Sequence, residues 1–143
     1  MLTERDKLLV QTTFDMVRPI ADDAAALFYG RLFEIAPELQ PMFAHVEMRD
    51  QGRKLMKVLG VAVAALNKPE QLFPAVQDLG RRHAQYGVQP EDYDTVGTAL
   101  LWTLEQGLGD AFTPEVRAAW VKVYTLLSCV AIEGNYPANP ELN

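Results

Sequence analysis

His83 is one of two histidines in 143 residues. It closes a stripe of Leu72, Val76, Leu79 and His83, at steps of four, three and four, which is the spacing of one face of an α-helix. An imidazole on an apolar helix face has two uses. It can be a hydrogen-bonded core residue, or it can ligate a metal held in a hydrophobic pocket while its second nitrogen is fixed by a hydrogen bond. Tyr29 poses the same choice among Phe28, Leu32 and Phe33. It is either a core aromatic whose hydroxyl finds a backbone carbonyl, or a phenol donor aimed into a cavity. Gln51, followed by Gly52, is either part of a solvated first turn or an amide beside Tyr29. In the second case Gly52 lets its helix cross closely over Ala25.

The elements that must position these groups are all helical. Val10, Phe14 and Val17 form a first stripe, with Thr3 as N-cap and Pro19 as the stop or bend. Ala25, Phe28, Tyr29, Leu32, Phe33 and Ala36 share a second face. Pro37 and Pro41 force a short bent connection. A third helix is expected over residues 49–66, facing inward through Leu55, Leu59, Ala62, Val63 and Leu66. Pro69 and Pro74 confine the start of the fourth, and Gly87 fits its left-handed C-cap. Tyr93, Val96, Gly97, Leu100, Leu101, Leu104 and Leu108 mark a fifth. The last opens at Thr113 and Pro114 and runs through Trp120 and Val123 to Val130. No alternating strand pattern is present, so the class is all-α. The prolines at 19, 37 and 41 favour a packed non-bundle fold over an up-down bundle. One domain is expected over residues 1–143, with a frayed, proline-broken tail at 135–143.

Composition narrows the function. Thirteen Lys and Arg against nineteen Asp and Glu give a net charge of −6. That argues against a nucleic-acid partner and against an anionic membrane surface. No apolar run is long enough to span a bilayer, and the charged N-terminus lacks a signal-peptide core. A single cysteine, Cys129, precludes an internal disulfide, suits a reducing cytoplasm, and reads as inert packing among Leu126, Leu127 and Val130. Two histidines and one cysteine are too few for a usual tetrahedral zinc site. No C-x-x-C-H haem attachment, phosphate-binding glycine loop or common hydrolase signature occurs. A lone neutral imidazole on an apolar face does match the proximal ligand of a non-covalent haem iron.

Together these residues resemble the globins, and within them bacterial single-domain globins, the haem domains of flavohaemoglobins and neuroglobin-like proteins. "LFYGRLFEIAPELQPMF" looks like the B helix, the C turn and the start of the CD corner. "DQGRKLMKVLG" looks like the start of the E helix. "LGRRHAQYGVQPEDYDTVGTALL" looks like the F helix, FG corner and G helix, and "LGDAFTPEVRAAWVKVY" like the GH turn and H helix. The resemblance covers roughly residues 3 to 132 and implies a three-over-three helical sandwich around haem b. It implies His83 as proximal iron ligand, Phe43 as the wedge against the haem, and Leu55 as the apolar residue over the iron. Tyr29 and Gln51 match the distal pair of the bacterial relatives. Lys54, Arg82 and His45 lie where the family contacts haem propionates. Tyr93 matches the tyrosine that supports the proximal histidine in flavohaemoglobins, whereas the glutamate expected with it is replaced by Asn135.

The function so implied is reversible, high-affinity binding of dioxygen at pentacoordinate ferrous iron, for oxygen storage, delivery or transport. Nitric oxide dioxygenation or detoxification, or nitrite reduction, at the same iron is the enzymatic alternative. A gas or sulfide sensor is the third. No flavin and nicotinamide reductase domain is expected in these 143 residues, and a reaction consuming electrons is expected to draw on a separate reductase. A cytoplasmic monomer or weak homodimer is expected.

Overall fold

The structure, a computed structural model, describes residues 2–133 together with Asn135. Among the described residues there are six α-helices and four 3-10 turns, with no 3-10 turn between the fourth and fifth helices, and no strand. The expected frayed tail at 135–143 lies, apart from Asn135, outside the described residues.

Local chemistry sets each boundary. Helix α1 (Glu4–Val17) starts in a reciprocal cap: the Thr3 side chain accepts from the Asp6 N–H, and the Asp6 carboxylate accepts from the Thr3 N–H, both at 3.0 Å. That Thr3 amide bond holds the Asp6 carboxyl below its ordinary range, with Lys122 of the last helix assisting at 3.2 Å. Pro19 converts the chain to the 3-10 turn Arg18–Ile20, and α2 (Ala21–Ile35) leaves it in a new direction. Pro37 and Pro41 hold the tighter turn Pro37–Phe43. Glu47 caps α3 (Met48–Ala64) through the amides of Arg49 and Asp50. Helix α4 (Pro69–Gln85) starts at Pro69 itself. Pro74, expected to confine that start, lies inside the helix, at the cost of one intrahelical bond. α5 (Pro90–Leu108) and α6 (Pro114–Ile132) both open on a proline, and the Thr113 hydroxyl caps α6 at Val116.

The helices pack as two crossing groups. α2 lies on α5 and α3; α6 lies under α1, α4 and α5. Val10, Phe14, Trp120 and Val123 form the driest part of the core. There the Trp120 indole N–H donates to the Thr13 hydroxyl at 2.9 Å, and that hydroxyl turns back to the Leu9 carbonyl at 2.7 Å. Two crossings depend on a missing side chain. A Cβ on Gly52 would stand 2.9 Å from that of Ala25, the close α2–α3 approach expected from the sequence. A Cβ on Gly80 would stand 1.9 Å from the Ala131 carbonyl oxygen, so α4 rests on the α6 backbone itself. α3 and α4 pack on different partners and scarcely on each other.

One expectation fails: Cys129 is exposed. It shares the solvent side of α6 with Thr125 and Lys122, one turn and two turns back, whereas its neighbour Val130 faces the core.

Candidate functional site

Two clusters form around the expected site residues. The first joins α2, the Pro37–Phe43 turn and α3. The Tyr29 ring meets Phe43 edge-on at 5.5 Å, and Phe28 at 4.9 Å. Phe33 completes the group, 6.0 Å from Tyr29 and 5.4 Å from Phe43. The Gln51 amide, 22 residues along the chain, donates to the Tyr29 hydroxyl at 3.3 Å. Of the two readings of Gln51, the structure gives the one beside Tyr29. Burial raises the Tyr29 phenol above its ordinary value, outweighing the opposing effect of the Gln51 bond. The phenol therefore stays protonated and keeps a proton to donate. Leu55, one turn beyond Gln51, is half-buried and lines a small apolar cavity of about 20 Å3 with Phe28, Leu59, Leu104 and Trp120.

The second cluster joins α4 and α5. His83 is half-buried, and its Nδ1 lies 3.3 Å from the buried Tyr93 hydroxyl, with ring centroids 6.0 Å apart. Desolvation first, and the Arg82 charge second, hold the His83 imidazolium below its ordinary pKa. The ring is thus neutral near pH 7, the form that ligates metals. The end of α4 is closed around the same residue. The Val88 N–H reaches the His83 carbonyl at 3.0 Å, the Gly87 N–H reaches that of Ala84 at 3.1 Å, and Gly87 takes the positive φ of 92° expected of a C-cap.

The remaining candidates are surface groups. Lys54 and His45 are exposed, and neither forms an ion pair with another described residue. Arg82 is exposed and lies 3.5 Å from Asp78, which also pairs with Arg81. The Asn135 amide donates to the carbonyls of Gln77 at 3.1 Å and of Ala131 at 2.9 Å, tying α4 to α6. A carboxylate could not donate those bonds.

The charge map is uneven. Between residues 48 and 85, Arg49, Arg53, Lys54, Lys57, Lys68, Arg81 and Arg82 stand against Asp50, Glu70 and Asp78. That is seven against three, or +4; with thirteen against nineteen overall, the rest of the chain carries −10. The segment bearing Gln51 and His83 is therefore the basic part of an acidic protein.

Comparison with known proteins decides the family. The globin family profile matches residues 26–130. The chain belongs to the globin family. Over 126 residues this globin is 35% identical to a flavohemoprotein of Rhizobium meliloti, across 87% of its own length and 31% of that protein's. It is 30% identical to a neuroglobin of Tetraodon nigroviridis over 139 residues, covering 88% of this chain and 87% of that one. A flavohemoprotein of Bacillus subtilis is 28% identical over 130 residues, with 33% of its length covered. The globin therefore spans about a third of the flavohemoproteins it matches. Its fold is the all-α globin fold, and family membership carries haem binding and, through the haem, the binding of small gas ligands. Among the described residues no helix is long and apolar enough to cross a membrane.

The sequence reading missed Gly80, the Asn135 amide bridge and Tyr124. The last sends its hydroxyl to the Tyr93 carbonyl at 2.5 Å. The tyrosine's place on the α6 stripe beside Val123 and Leu127 was a signal only for packing.

Proposed function

We propose that this globin domain holds haem b non-covalently and binds dioxygen reversibly, with His83 as the proximal iron ligand and Tyr29 and Gln51 beside the gas. The residues fit such a group. Among the described residues no cluster of three or more His, Cys, Asp or Glu side chains could hold a bare ion, so His83 binds a metal where a macrocycle supplies the other ligands. With Nδ1 at Tyr93, Nε2 is the nitrogen left for iron. Phe43 and Leu55 offer half-buried apolar surface to the macrocycle. Lys54, Arg82 and His45 offer exposed cations or donors to its carboxylates, and the +4 segment that holds Lys54 and Arg82 favours an anionic guest.

The single observation that carries this reading is the Gln51–Tyr29 hydrogen bond. When bound, haem supplies the iron coordination position that a diatomic gas takes up. Two neutral donors kept in a largely desolvated place then favour a ligand with partial negative charge, each by roughly 1 to 3 kcal/mol. Dioxygen is such a ligand, and slow release with high affinity follows.

The similarity to flavohemoproteins favours a second reading, nitric oxide dioxygenation with electrons from a separate reductase. The Asn135 amide, which donates to main-chain carbonyls where a carboxylate would accept from the proximal side, weighs toward binding. Visible spectra of the haem-reconstituted chain test the proposal. A Soret band is expected, with distinct ferrous and oxygenated forms, and His83→Ala should abolish the ferrous pentacoordinate form. No Soret band after reconstitution would sink it. Mixing the oxygenated form with nitric oxide, then following re-reduction in cell extract, separates carrier from dioxygenase.

A further inference from the structure

We propose that Tyr124 is a positioning residue for the His83 ring, acting through Tyr93; the inference deepens the assignment of His83 as iron ligand and rests on it. The main chain of His83 is held by the α4 cap at Val88, but the cap leaves the ring free to rotate about its side-chain bonds. What fixes a ligating imidazole is the partner of its second nitrogen. Here that partner is the Tyr93 hydroxyl, on the fourth residue of α5. The first turn of α5 is in turn tied to α6, because the Tyr124 hydroxyl donates to the Tyr93 carbonyl at 2.5 Å. Burial keeps the Tyr124 phenol well above its ordinary pKa, so it remains a donor.

The contact is built rather than incidental. The Tyr124 ring occupies the space that a side chain at residue 97 would need: a Cβ on Gly97 would meet Cε2 at 2.7 Å and Cδ2 at 3.0 Å. Gly97 lies one turn beyond Tyr93 on the same face of α5, so the ring is admitted where its hydroxyl reaches the carbonyl. Seven residues further along α6, two turns on the same side, Ala131 receives Gly80 of α4. One face of α6 thus places both parts of the proximal site: Ala131 sets the backbone of α4, and Tyr124 sets the residue that orients the ring.

The test is a double-substitution cycle on the haem-reconstituted full chain, with Tyr124→Phe, Tyr93→Phe and both together. The readout is the iron–histidine stretching band of the chemically reduced protein, which reports the hydrogen bond at the second ring nitrogen. Tyr93→Phe should lower the band frequency by weakening donation from Nδ1–H. Tyr124→Phe should shift the band in the same direction or broaden it, and should add nothing in the Tyr93→Phe background. Gly97→Ala, which evicts the ring but keeps the hydroxyl, should reproduce Tyr124→Phe. The inference is overturned if Tyr124→Phe leaves the band unmoved while Tyr93→Phe moves it, or if it moves the band equally in both backgrounds. A parallel arm uses the apoprotein and reads the His83 ring nitrogens by NMR with the same cycle. There the Nδ1 resonance should respond to Tyr124→Phe only when Tyr93 is present. Absence of any iron–histidine band would refute the haem assignment, whereas an Nδ1 resonance blind to Tyr124→Phe would refute the positioning role.

Discussion

Replacing Gly80 by alanine adds one methyl group at the point where α4 rests on α6. The added carbon would stand 1.9 Å from the Ala131 carbonyl oxygen, 2.6 Å from its carbon and 2.8 Å from its Cα. Ordinary contact begins near 3.4 Å, so the helices must part by about 1.5 Å. The obstacle is backbone of the last turn of α6, with no rotamer to move aside. Overpacking of this kind costs about 3 kcal/mol, offset by about 1 kcal/mol from the better helix propensity of alanine. A net loss of about 2 kcal/mol in a chain of this size lowers the melting temperature by about 8 °C. Gly30 is the internal control, a helical glycine with nothing within 4 Å of its would-be Cβ. There the propensity gain of about 0.5–1 kcal/mol stands alone, and Gly30→Ala should raise the melting temperature by about 2–4 °C. Thermal and urea unfolding of the two variants beside the parent protein is the assay. Because His83 lies three residues beyond Gly80 on the same helix, Gly80→Ala should also speed haem loss, and Gly30→Ala should not. A Gly80→Ala protein at least as stable as the parent would refute the claim that α4 sits on the α6 backbone.

Other substitutions probe other contacts. Tyr29→Phe removes the acceptor of the Gln51 amide and the phenol donor itself; in flash photolysis or stopped flow the oxygen off-rate should rise about tenfold, the equivalent of ~1.4 kcal/mol. Thr13→Val keeps the shape but leaves the Trp120 N–H buried without its acceptor, which should cost about 1–3 kcal/mol in urea unfolding at unchanged m-value. Asp6 has a lowered carboxyl pKa in the folded state. Its contribution is complete above the ordinary carboxylate range and is lost as pH falls through the lower folded value, because the unfolded chain binds the proton first. Stability measured against pH in acid should therefore decline less steeply in Asp6→Asn than in the parent.

Much of the site was legible before any coordinates, for local reasons. His83 and Tyr93 are ten residues apart, across one cap and one short turn. A glycine in a positive-φ position and a proline at the first helical residue leave little choice of path between them. Tyr29 and Gln51 were harder, 22 residues apart and joined through the proline-held turn and the Ala25–Gly52 crossing. Family resemblance supplied their register, and the small residues made the crossing physically reasonable. Cys129 shows the limit of reading burial from neighbours. Leu126, Leu127 and Val130 surround it in the sequence, yet a turn of 100° per residue puts the thiol on the outside.

By itself, the sequence determined which segments are helices, where each begins and ends to within a few residues, and which face of each is apolar. These follow from proline rings, glycine dihedrals, side-chain caps and a 3.6-residue period, all of which act within a few residues. Only the tertiary structure decided which helix meets which, and at what distance. Gly80 against Ala131, Tyr124 against Tyr93, and Asn135 across Gln77 and Ala131 join residues that no local rule relates. Their partners are backbone carbonyls, and a carbonyl has no residue type for a sequence to display. The ligand and its helix were written in the pattern; the support behind that ligand arose from how α6 lies beneath α4 and α5.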